Sequence, residues 1–498
     1  MTDGPYAALE ARFRRIAIID GAQAVLHWDR AVMMPPGGAD ARTEQLAVLS
    51  GLSHELIVEP AIGDLLDRVE ADRDRLGPWQ AANLREMRRL WRHANALSQD
   101  LVEALARAAS TCELNWRQAR AADDFASVLP SLENLIGLVR EKAQAKATAL
   151  DVPPYEALLD AYDPGRRRAE IDRLFAELRS FLPSILSAVL ARQSRRSAPM
   201  PFDGPLPIEA QRRLGEALMT AVGFDTEFGR LDVSHHPFTG GVPDDVRITT
   251  RYKDDDFSES VMAVLHETGH ALYERGLPAA WRWQPVGESR GMTIHESQSL
   301  LIEMQACRGR QFSEFVLPII KSSFGKSGPA WTLENLLAHT QRVEPGLIRV
   351  EADEVTYPFH VMLRYDLETA LLQGDLRPRD LPGAWRDGMM KLLGIAVPDD
   401  RDGCMQDIHW FHGDIGYFPT YTLGALAAAQ LFAAAVAAVP DIPERIRRGD
   451  FRPLLGWLRE HVHGVGCLSS SDDLLERATG TGLGTEAFRR HVERRYLS

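Results

Sequence analysis

The chain has 498 residues, of which 45 % are apolar and 26 % are charged, a composition typical of a folded globular protein rather than a disordered or membrane-embedded one. Its formal net charge of −13 argues against nucleic acid as a partner, because phosphate binding requires a basic surface. The first residues show no basic patch followed by an apolar stretch, so we expect no secretory signal and a cytoplasmic location.

Long amphipathic helices dominate the first half of the chain. Frequent Ala, Leu, Glu and Arg predict them over residues 6–27, 40–53, 78–121, 125–150, 167–192 and 208–222. Pro130 and Pro183 fall inside two of these stretches and are expected to kink or divide them. Clear helix breaks are predicted where proline or glycine occurs, at residues 34–38, 163–165 and 197–201. The predicted fold class is mostly α.

One strand is predicted over residues 245–252, which are rich in β-branched side chains. It follows residues 239–243, whose glycines and proline are typical of a turn. The strand closely precedes the helix that carries the strongest motif in the chain. We therefore expect a small β-sheet beside that helix.

The motif is an H-E-x-x-H sequence at residues 266–270. Residues four apart share a helix face, so His266 and His270 can occupy adjacent corners of a tetrahedral zinc site. Glu267 is rotated by about 100° towards the open coordination position, where it would act as the general base. A chance pentapeptide is the alternative interpretation. The helix is apolar on the side expected to face the core, at Val261, Leu265, Thr268 and Leu272.

A catalytic zinc site needs a third protein ligand, and four glutamates are candidates. Glu274 lies one turn beyond the second histidine on the same helix and cannot easily close the site from the opposite side. Glu288 falls in a predicted loop, and Glu303 lies two turns beyond Glu296 on the next helix. Glu296 is favoured on geometry, because it opens that second helix 26 positions after His270.

Two further features argue against other classes of protein. The cysteines lie far apart without a C-x-x-C pair, so we expect buried free thiols and no cysteine zinc site at Cys112, Cys307, Cys404 or Cys467. Residues 422–439 carry no charge over 18 positions, a length close to that of a membrane span. Half of them are alanine, which favours a closely packed internal helix over a membrane-spanning helix.

The chain resembles the carboxypeptidase Taq family of metallocarboxypeptidases over essentially its whole length. The family's motifs occur in order as His236-Pro237-Phe238, Asp245-x-Arg247-x-Thr249, His266-Glu267-x-x-His270, His295-Glu296-Ser297-Gln298, Ile348-Arg349-x-x-Ala352-Asp353 and Gly403-x-x-Gln406-Asp407-x-His409-Trp410. The segment from Trp28-Asp29 to Met34-Pro35-x-Gly37-Gly38 also looks like the family. Six ordered motifs are far more specific than one pentapeptide.

The resemblance implies a mostly helical zinc-peptidase fold with a deep central groove. It implies one unit over residues 1–498, in which two helical subdomains flanking the groove are a possible arrangement, and a homodimer as the usual assembly. The implied activity is removal of single residues from the C-termini of peptides, with broad specificity. It supports one zinc ion per chain, replaceable by Co²⁺, held by His266, His270 and Glu296, with Glu267 catalytic.

Five residues, in the other motifs and in the aromatic segment 416–421, each have two interpretations. Arg349 and Arg247 offer paired donors to a substrate carboxylate, but either can instead form a structural ion pair. His409, Tyr417 and Tyr421 are candidates for stabilising the oxyanion, although such aromatic residues more often pack a core.

Supporting contacts around the ligands are expected from His295, Asp353 and Asp407, which could orient ligands or arginines. In several other H-E-x-x-H peptidases, an acid that follows the glutamate ligand by four positions orients a histidine. Here that position is Leu300, so the orienting carboxylate must come from elsewhere.

Two rival functions use the same residues. An endo-acting oligopeptidase would share the zinc chemistry but would not recognise the terminal carboxylate. A non-catalytic zinc-containing binding protein would hold the metal for structure alone, and Glu267 weighs against it because a structural site needs no base.

Overall fold

The computed structural model describes residues 4–498. Its α-helices are α1 (Pro5–Val32), α2 (Ala39–Ile57), α3 (Pro60–Ala71), α4 (Pro78–Asn95), α5 (Gln99–Ala122), α6 (Phe125–Leu150), α7 (Pro154–Leu159), α8 (Arg168–Gln193), α9 (Ile208–Val222), α10 (Ser258–Gly276), α11 (Met292–Leu300), α12 (Arg310–Phe324), α13 (Leu333–Thr340), α14 (Tyr357–Gln373), α15 (Leu381–Leu393), α16 (His409–His412), α17 (Pro419–Ala438), α18 (Ile442–Arg447), α19 (Arg452–His461), α20 (Ser471–Thr479) and α21 (Glu486–Leu497). A π-helical segment, Leu301–Cys307, continues α11 directly. The prediction of a mostly α fold is confirmed.

The predicted helices correspond to observed ones, with two differences. Residues 78–121 form two helices rather than one, because the Ser98 side chain accepts the N–H of Leu101 at 3.3 Å and so caps a new helix. Pro130 and Pro183 divide neither α6 nor α8. Buried apolar neighbours flank both prolines, and their packing offsets the backbone hydrogen bond that a proline removes.

Three strands form a small sheet beside α10, namely β1 (Gly229–Val233), β2 (Thr239–Val242) and β3 (Asp245–Thr250). Their order is β1-β3-β2, with β1 parallel and β2 antiparallel to β3. The predicted strand is confirmed as β3, whereas the prediction of a turn over 239–243 is wrong because most of it is strand β2. Gly241 has φ +93°, and a Cβ there would lie 2.1 Å from the backbone oxygen of Asp245. Glycine therefore allows this segment to pair closely with β3.

The N-terminal helices have a hydrophobic core of their own. Buried side chains of α1, α3 and α4 pack together, and the large core of the molecule is formed from α5 onwards. Polar contacts connect the two parts, including Asn83 with Gln284 at 3.0 Å and Glu86 with Arg290 at 2.8 Å. Whether they move as one unit or two subdomains stays a prediction. All four cysteines are buried and free, as predicted.

Two helices, α8 and α17, are long and apolar enough by length and composition to cross a bilayer. Helix α17 is the alanine-rich segment, and most of its residues from Pro419 to Leu431 are buried against other helices. The prediction of a closely packed internal helix holds up to Leu431, whereas Ala433, Ala437 and Ala438 near its end are exposed. Its main neighbour is α11, so α17 supports the helix that carries Glu296.

Candidate active site

The two histidines of the H-E-x-x-H motif meet the predicted third ligand. The ligand atoms of His266 and His270 on α10 and Glu296 on α11 all lie within 4.8 Å of one another. Glu296 Oε2 is 3.9 Å from His266 Nε2 and 3.4 Å from His270 Nε2. Tetrahedral zinc with bonds of about 2.0–2.2 Å separates its ligand atoms by roughly 3.4 Å. Two imidazoles and one carboxylate at these distances therefore fit one divalent ion.

Two glycines allow Glu296 to approach the histidines. A Cβ at Gly269 would lie 2.5 Å from the backbone oxygen of Gln298, so α10 and α11 pack with their backbones close together. On the opposite side, a Cβ at Gly424 of α17 would lie 2.8 Å from the Cβ of Glu296. Helix α11 is thus held between two helices at positions where only glycine fits without movement.

The carboxylate of Glu267 is held by a hydroxyl from the sheet. Thr239 Oγ1 on β2 lies 2.7 Å from Glu267 Oε2 and 3.0 Å from the Glu267 backbone oxygen. Glu267 is buried, so this contact fixes its side chain beside the two histidines. Sequence reasoning missed Thr239, although its position directly after the His236-Pro237-Phe238 motif was a signal that could have found it.

Each histidine also has a partner on the ring nitrogen that faces away from Glu296. Glu303 Oε2 lies 3.0 Å from His266 Nδ1. His295 Nδ1 lies 2.7 Å from His270 Nδ1, and the other nitrogen of His295 lies 2.8 Å from Glu274 Oε1. Glu303 and Glu274 therefore contact imidazoles rather than taking the place of Glu296. Such contacts set the tautomer and orientation of metal-binding histidines.

The charges in this cluster favour a cation. Burial alone would lower the pKa of His266, but the carboxylates of Glu296 and Glu303 outweigh it and raise that pKa to about 10. Burial would likewise raise the pKa of Glu296, but the histidines lower it to about 2. Burial, followed by His295, lowers the pKa of His270. A positive charge is therefore stabilised at the place where the three ligand atoms converge.

Arg349 keeps two hydrogen-bond donors free. Its Nε and Nη2 donate to Asp407 Oδ1 at 3.1 and 2.7 Å, and its Nη1 donates to Tyr357 Oη at 2.9 Å. Within residues 4–498 this leaves one N–H on each terminal nitrogen without an acceptor, and two such donors can bind a carboxylate. Burial would lower the pKa of Arg349, but Asp407 raises it well above its ordinary value. The other oxygen of Asp407 accepts from Arg364 Nε at 2.6 Å.

Three tyrosines, Tyr357, Tyr417 and Tyr421, lie close to this arginine or to one another. The ring centroid of Tyr421 is 4.9 Å from the guanidinium carbon of Arg349. Burial is the main cause that raises the pKa of Tyr357, Tyr417 and Tyr421, and the nearby charge of Glu296 contributes to all three. They therefore remain protonated and able to donate. Tyr357 was missed from the sequence, where it is separated from the arginine motif by only a few residues.

His409 is a neutral neighbour of this group. Its Nε2 lies 3.4 Å from the hydroxyl of Tyr421, and its ring centroid is 4.5 Å from that of Phe418. Burial, followed by the positive charge of Arg349, lowers the pKa of His409 to about 4. At neutral pH it can donate from one ring nitrogen but carries no charge.

The turn that precedes Tyr417 is fixed by a buried carboxylate that the sequence did not single out. Glu368 accepts from Tyr155 Oη at 2.7 Å, from Trp410 Nε1 at 3.2 Å and from Gly416 N at 3.3 Å. Burial raises the pKa of Glu368 to about 7. Because three neutral donors hold it, Glu368 fixes the backbone immediately before Tyr417.

Arg247 and Asp353 have different surroundings from the other predicted residues. Arg247 donates to both oxygens of Asp245 at 2.9 and 2.7 Å, and its guanidinium carbon lies 4.4 Å from the ring centroid of Trp28.

Asp353 was expected to orient a ligand or an arginine. Its carboxylate instead accepts backbone N–H groups, including that of Thr356 at 3.0 Å, and its backbone oxygen accepts from Tyr357 at 2.8 Å. It therefore fixes the start of α14, because a carboxylate satisfies the free N–H groups at a helix N-terminus.

Comparison with known proteins agrees with this geometry. Residues 8–496 match the family described as Carboxypeptidase Taq (M32) metallopeptidase. The chain is 41 % identical to thermostable carboxypeptidase 1 of Thermus thermophilus, covering 97 % of each chain, and 36 % identical to thermostable carboxypeptidase 1 of Pyrococcus furiosus, covering 98 % of this chain and 97 % of that one. The solved structure of Trypanosoma cruzi metallocarboxypeptidase 1 superposes with a TM-score of 0.97 at 40 % identity and covers 99 % of each chain. The chain therefore belongs to the carboxypeptidase Taq family and is a metallocarboxypeptidase, a peptide hydrolase that depends on a divalent metal.

Proposed function

We propose that this metallocarboxypeptidase releases single C-terminal residues from peptides with broad specificity, and that His266, His270 and Glu296 hold one zinc ion per chain. The observation that carries the proposal is the convergence of three ligand atoms within 4.8 Å. Co²⁺ is a proposed substitute, because imidazole and carboxylate ligands also bind other divalent transition metals.

Zinc, when bound, would lower the pKa of a water molecule and polarise the scissile carbonyl. Glu267 is the proposed general base that takes the proton from the attacking water and later gives it to the leaving amine. The contact with Thr239 involves only Oε2 of Glu267. Its Oε1 has no partner among residues 4–498 and so remains available for proton transfer.

Negative charge develops on the substrate carbonyl oxygen during attack, and fixed donors near that oxygen would stabilise it. Tyr417, Tyr421 and His409 are the proposed donors. All three are uncharged donors at neutral pH, and Tyr421 and His409 lie within 3.4 Å of each other. Tyr357 already accepts a hydrogen bond from Arg349, so we assign it to fixing that arginine.

Arg349 is the proposed anchor for the substrate's terminal carboxylate. We expect Arg349→Ala to lower kcat/KM by ~10- to 10³-fold while metal is retained, because a charge-assisted, two-donor contact is lost. Arg349→Lys keeps a positive charge but cannot offer two N–H donors from one planar group, so it should recover little activity. Arg247→Ala is the matched control for the alternative anchor, and we expect a smaller effect.

The measurement is the steady-state kinetics of these variants on paired peptides with a free or an amidated C-terminus. The wild-type enzyme should prefer the free acid, and Arg349→Ala should largely lose that preference. If both arginine variants keep the full wild-type preference, neither arginine is the anchor.

The alternative is an endo-acting oligopeptidase of the same zinc chemistry, which would cleave free and amidated peptides alike. Arg349 argues against it, since a buried arginine with two free donors has no evident use in internal cleavage. The non-catalytic alternative does not stand, because the chain belongs to a metallopeptidase family and its full-length relatives are named carboxypeptidases.

We also propose a cytoplasmic homodimer with peptides as substrates and with neither nucleic acid nor membrane as a partner. The net charge of −13 supports the absence of a nucleic-acid partner, and the dimer rests on the family resemblance.

A further inference from the structure

The helix that carries Glu296 changes its winding immediately beyond the metal-ligand cluster. Residues Leu301–Cys307 are π-helical. π-Helical segments are rare and occur frequently at functional sites, and this one spans seven residues. Because the same residues could instead form an α-helix, contacts with the rest of the protein must stabilise the π-helical conformation.

The π-helical segment brings a second carboxylate to the same imidazole. Glu296 Oε2 is 3.9 Å from His266 Nε2, while Glu303 Oε2 is 3.0 Å from His266 Nδ1. The other oxygen of Glu303 accepts from Arg308 Nη2 at 2.7 Å. Both oxygens of Glu303 are therefore used, one by the histidine and one by the arginine that follows the segment.

A side chain of the C-terminal helix α21 binds the backbone of this segment. Arg495 on α21 donates through Nη1 to the backbone oxygen of Met304 at 2.6 Å and through Nη2 to that of Gln305 at 3.2 Å. These are the two residues that directly follow Glu303. The Arg495 side chain is only 8 % exposed, so its charge is committed to these contacts rather than to solvent.

Arg495 is itself fixed by a buried carboxylate. Its Nη1 lies 2.8 Å from Glu354 Oε1, which also accepts from Tyr496 Oη at 2.7 Å, while His491 Nε2 lies 2.9 Å from Glu354 Oε2. Burial would raise the pKa of Glu354, but Arg495 and His491 lower it well below its ordinary value. Glu354 therefore stays ionised and keeps the guanidinium in place.

We propose that Arg495 is a positioning residue for the metal centre, holding the π-helical segment so that Glu303 orients His266. A change from π to α winding would redirect side chains within the segment, Glu303 among them, as well as those that follow it, since one residue of an α-helix corresponds to about 100° of rotation. Arg495 opposes that change by binding two carbonyls of the segment. The proposal rests on the ligand role of His266 given above.

The test is the zinc dissociation constant of Arg495→Ala, measured by competition with a chelator, together with the absorption spectrum of the Co²⁺-loaded protein. We expect zinc to bind about 10-fold more weakly and the Co²⁺ spectrum to change. A loss of about 10-fold is at the lower end of the losses in metal affinity seen when a group that hydrogen-bonds to a metal ligand is removed. Arg494→Ala is the matched control. Arg494 is an exposed neighbour on the same helix with no hydrogen bond or ion pair among residues 4–498.

Two further variants separate positioning from general destabilisation. Glu354→Gln removes the negative charge that holds Arg495, so it should weaken zinc binding in the same direction as Arg495→Ala but by a smaller factor. Combining Arg495→Ala with Glu303→Gln should weaken zinc binding by less than the product of the two single effects, because both act through one contact.

A folded Arg495→Ala protein with wild-type zinc affinity and Co²⁺ spectrum would overturn the proposal, as would independent effects in the double variant. If Arg495→Ala does not fold, Arg495→Lys, which can reach one carbonyl, must still bind zinc more weakly. Unchanged zinc affinity in His266→Ala would instead show that the ligand assignment is wrong, so the two failures are distinguishable.

Discussion

Glu267→Gln is expected to lower kcat by at least ~10²-fold while the zinc content per chain remains at the wild-type value. The amide has nearly the same shape as the carboxylate but cannot accept the proton from water. The proposed ligand set of His266, His270 and Glu296 is left intact. Turnover with a chromogenic peptide and elemental analysis of the same sample provide the two measurements.

Thr239→Val is the matched control for this substitution. It removes the hydroxyl that lies 2.7 Å from Glu267 Oε2 but leaves the base itself. We expect a smaller loss of activity than with Glu267→Gln, and Thr239→Ser should restore most of it. Near-normal turnover of fully metal-loaded Glu267→Gln would contradict the assigned base.

Removing any one of the three proposed ligands is expected to abolish stoichiometric metal binding. His266→Ala, His270→Ala and Glu296→Ala each leave only two protein ligands, which is too few for a stable catalytic zinc site. Metal content after dialysis and the fall in activity should therefore change together.

Glu303→Ala and Glu274→Ala are the matched controls, since both carboxylates lie close to the cluster but contact imidazole nitrogens outside it. We expect them to bind metal about 10- to 100-fold more weakly rather than to lose it. A Glu296→Ala protein that keeps one tightly bound metal ion, alongside a Glu303→Ala protein that has lost it, would show that the third ligand was chosen wrongly.

Local sequence patterns predicted the parts of the fold that depend on nearby residues. The H-E-x-x-H motif lies on a helix as expected, and β3 covers residues 245–250 of the predicted strand 245–252. Helical periodicity placed both histidines on one face, and the choice of Glu296 needed only the start of the next helix. The break near Ser98 was missed because a single capping serine is a weak signal within a long helical pattern.

Contacts between distant segments could not be read from such patterns. Thr239 and Glu267 are 28 residues apart, and His266 and Glu303 are 37 residues apart, so only the packed structure brings them together. The π winding of residues 301–307 has no distinctive composition, since the same residues would suit an α-helix. Instead of residue 300, Glu303 contacts a histidine, with its Oε2 3.0 Å from His266 Nδ1.

The arginines illustrate what geometry adds to motifs. From sequence, Arg247 and Arg349 were equal candidates for the substrate carboxylate. The structure places Arg247 between Asp245 and Trp28, whereas Arg349 lies beside Tyr421 with two donors unused. Arg349 is thus the better candidate, and its role stays a prediction until the kinetics described above are measured.

The most direct test of the central claim is mass spectrometry of one peptide digested by the zinc-loaded wild-type enzyme with its C-terminus either free or amidated. The proposed mechanism predicts a ladder of products from the free-acid peptide, each shorter by one C-terminal residue, and an amidated peptide that remains essentially intact. Internal fragments formed equally from both peptides would contradict carboxypeptidase action and would indicate endo-acting cleavage by the same metal centre.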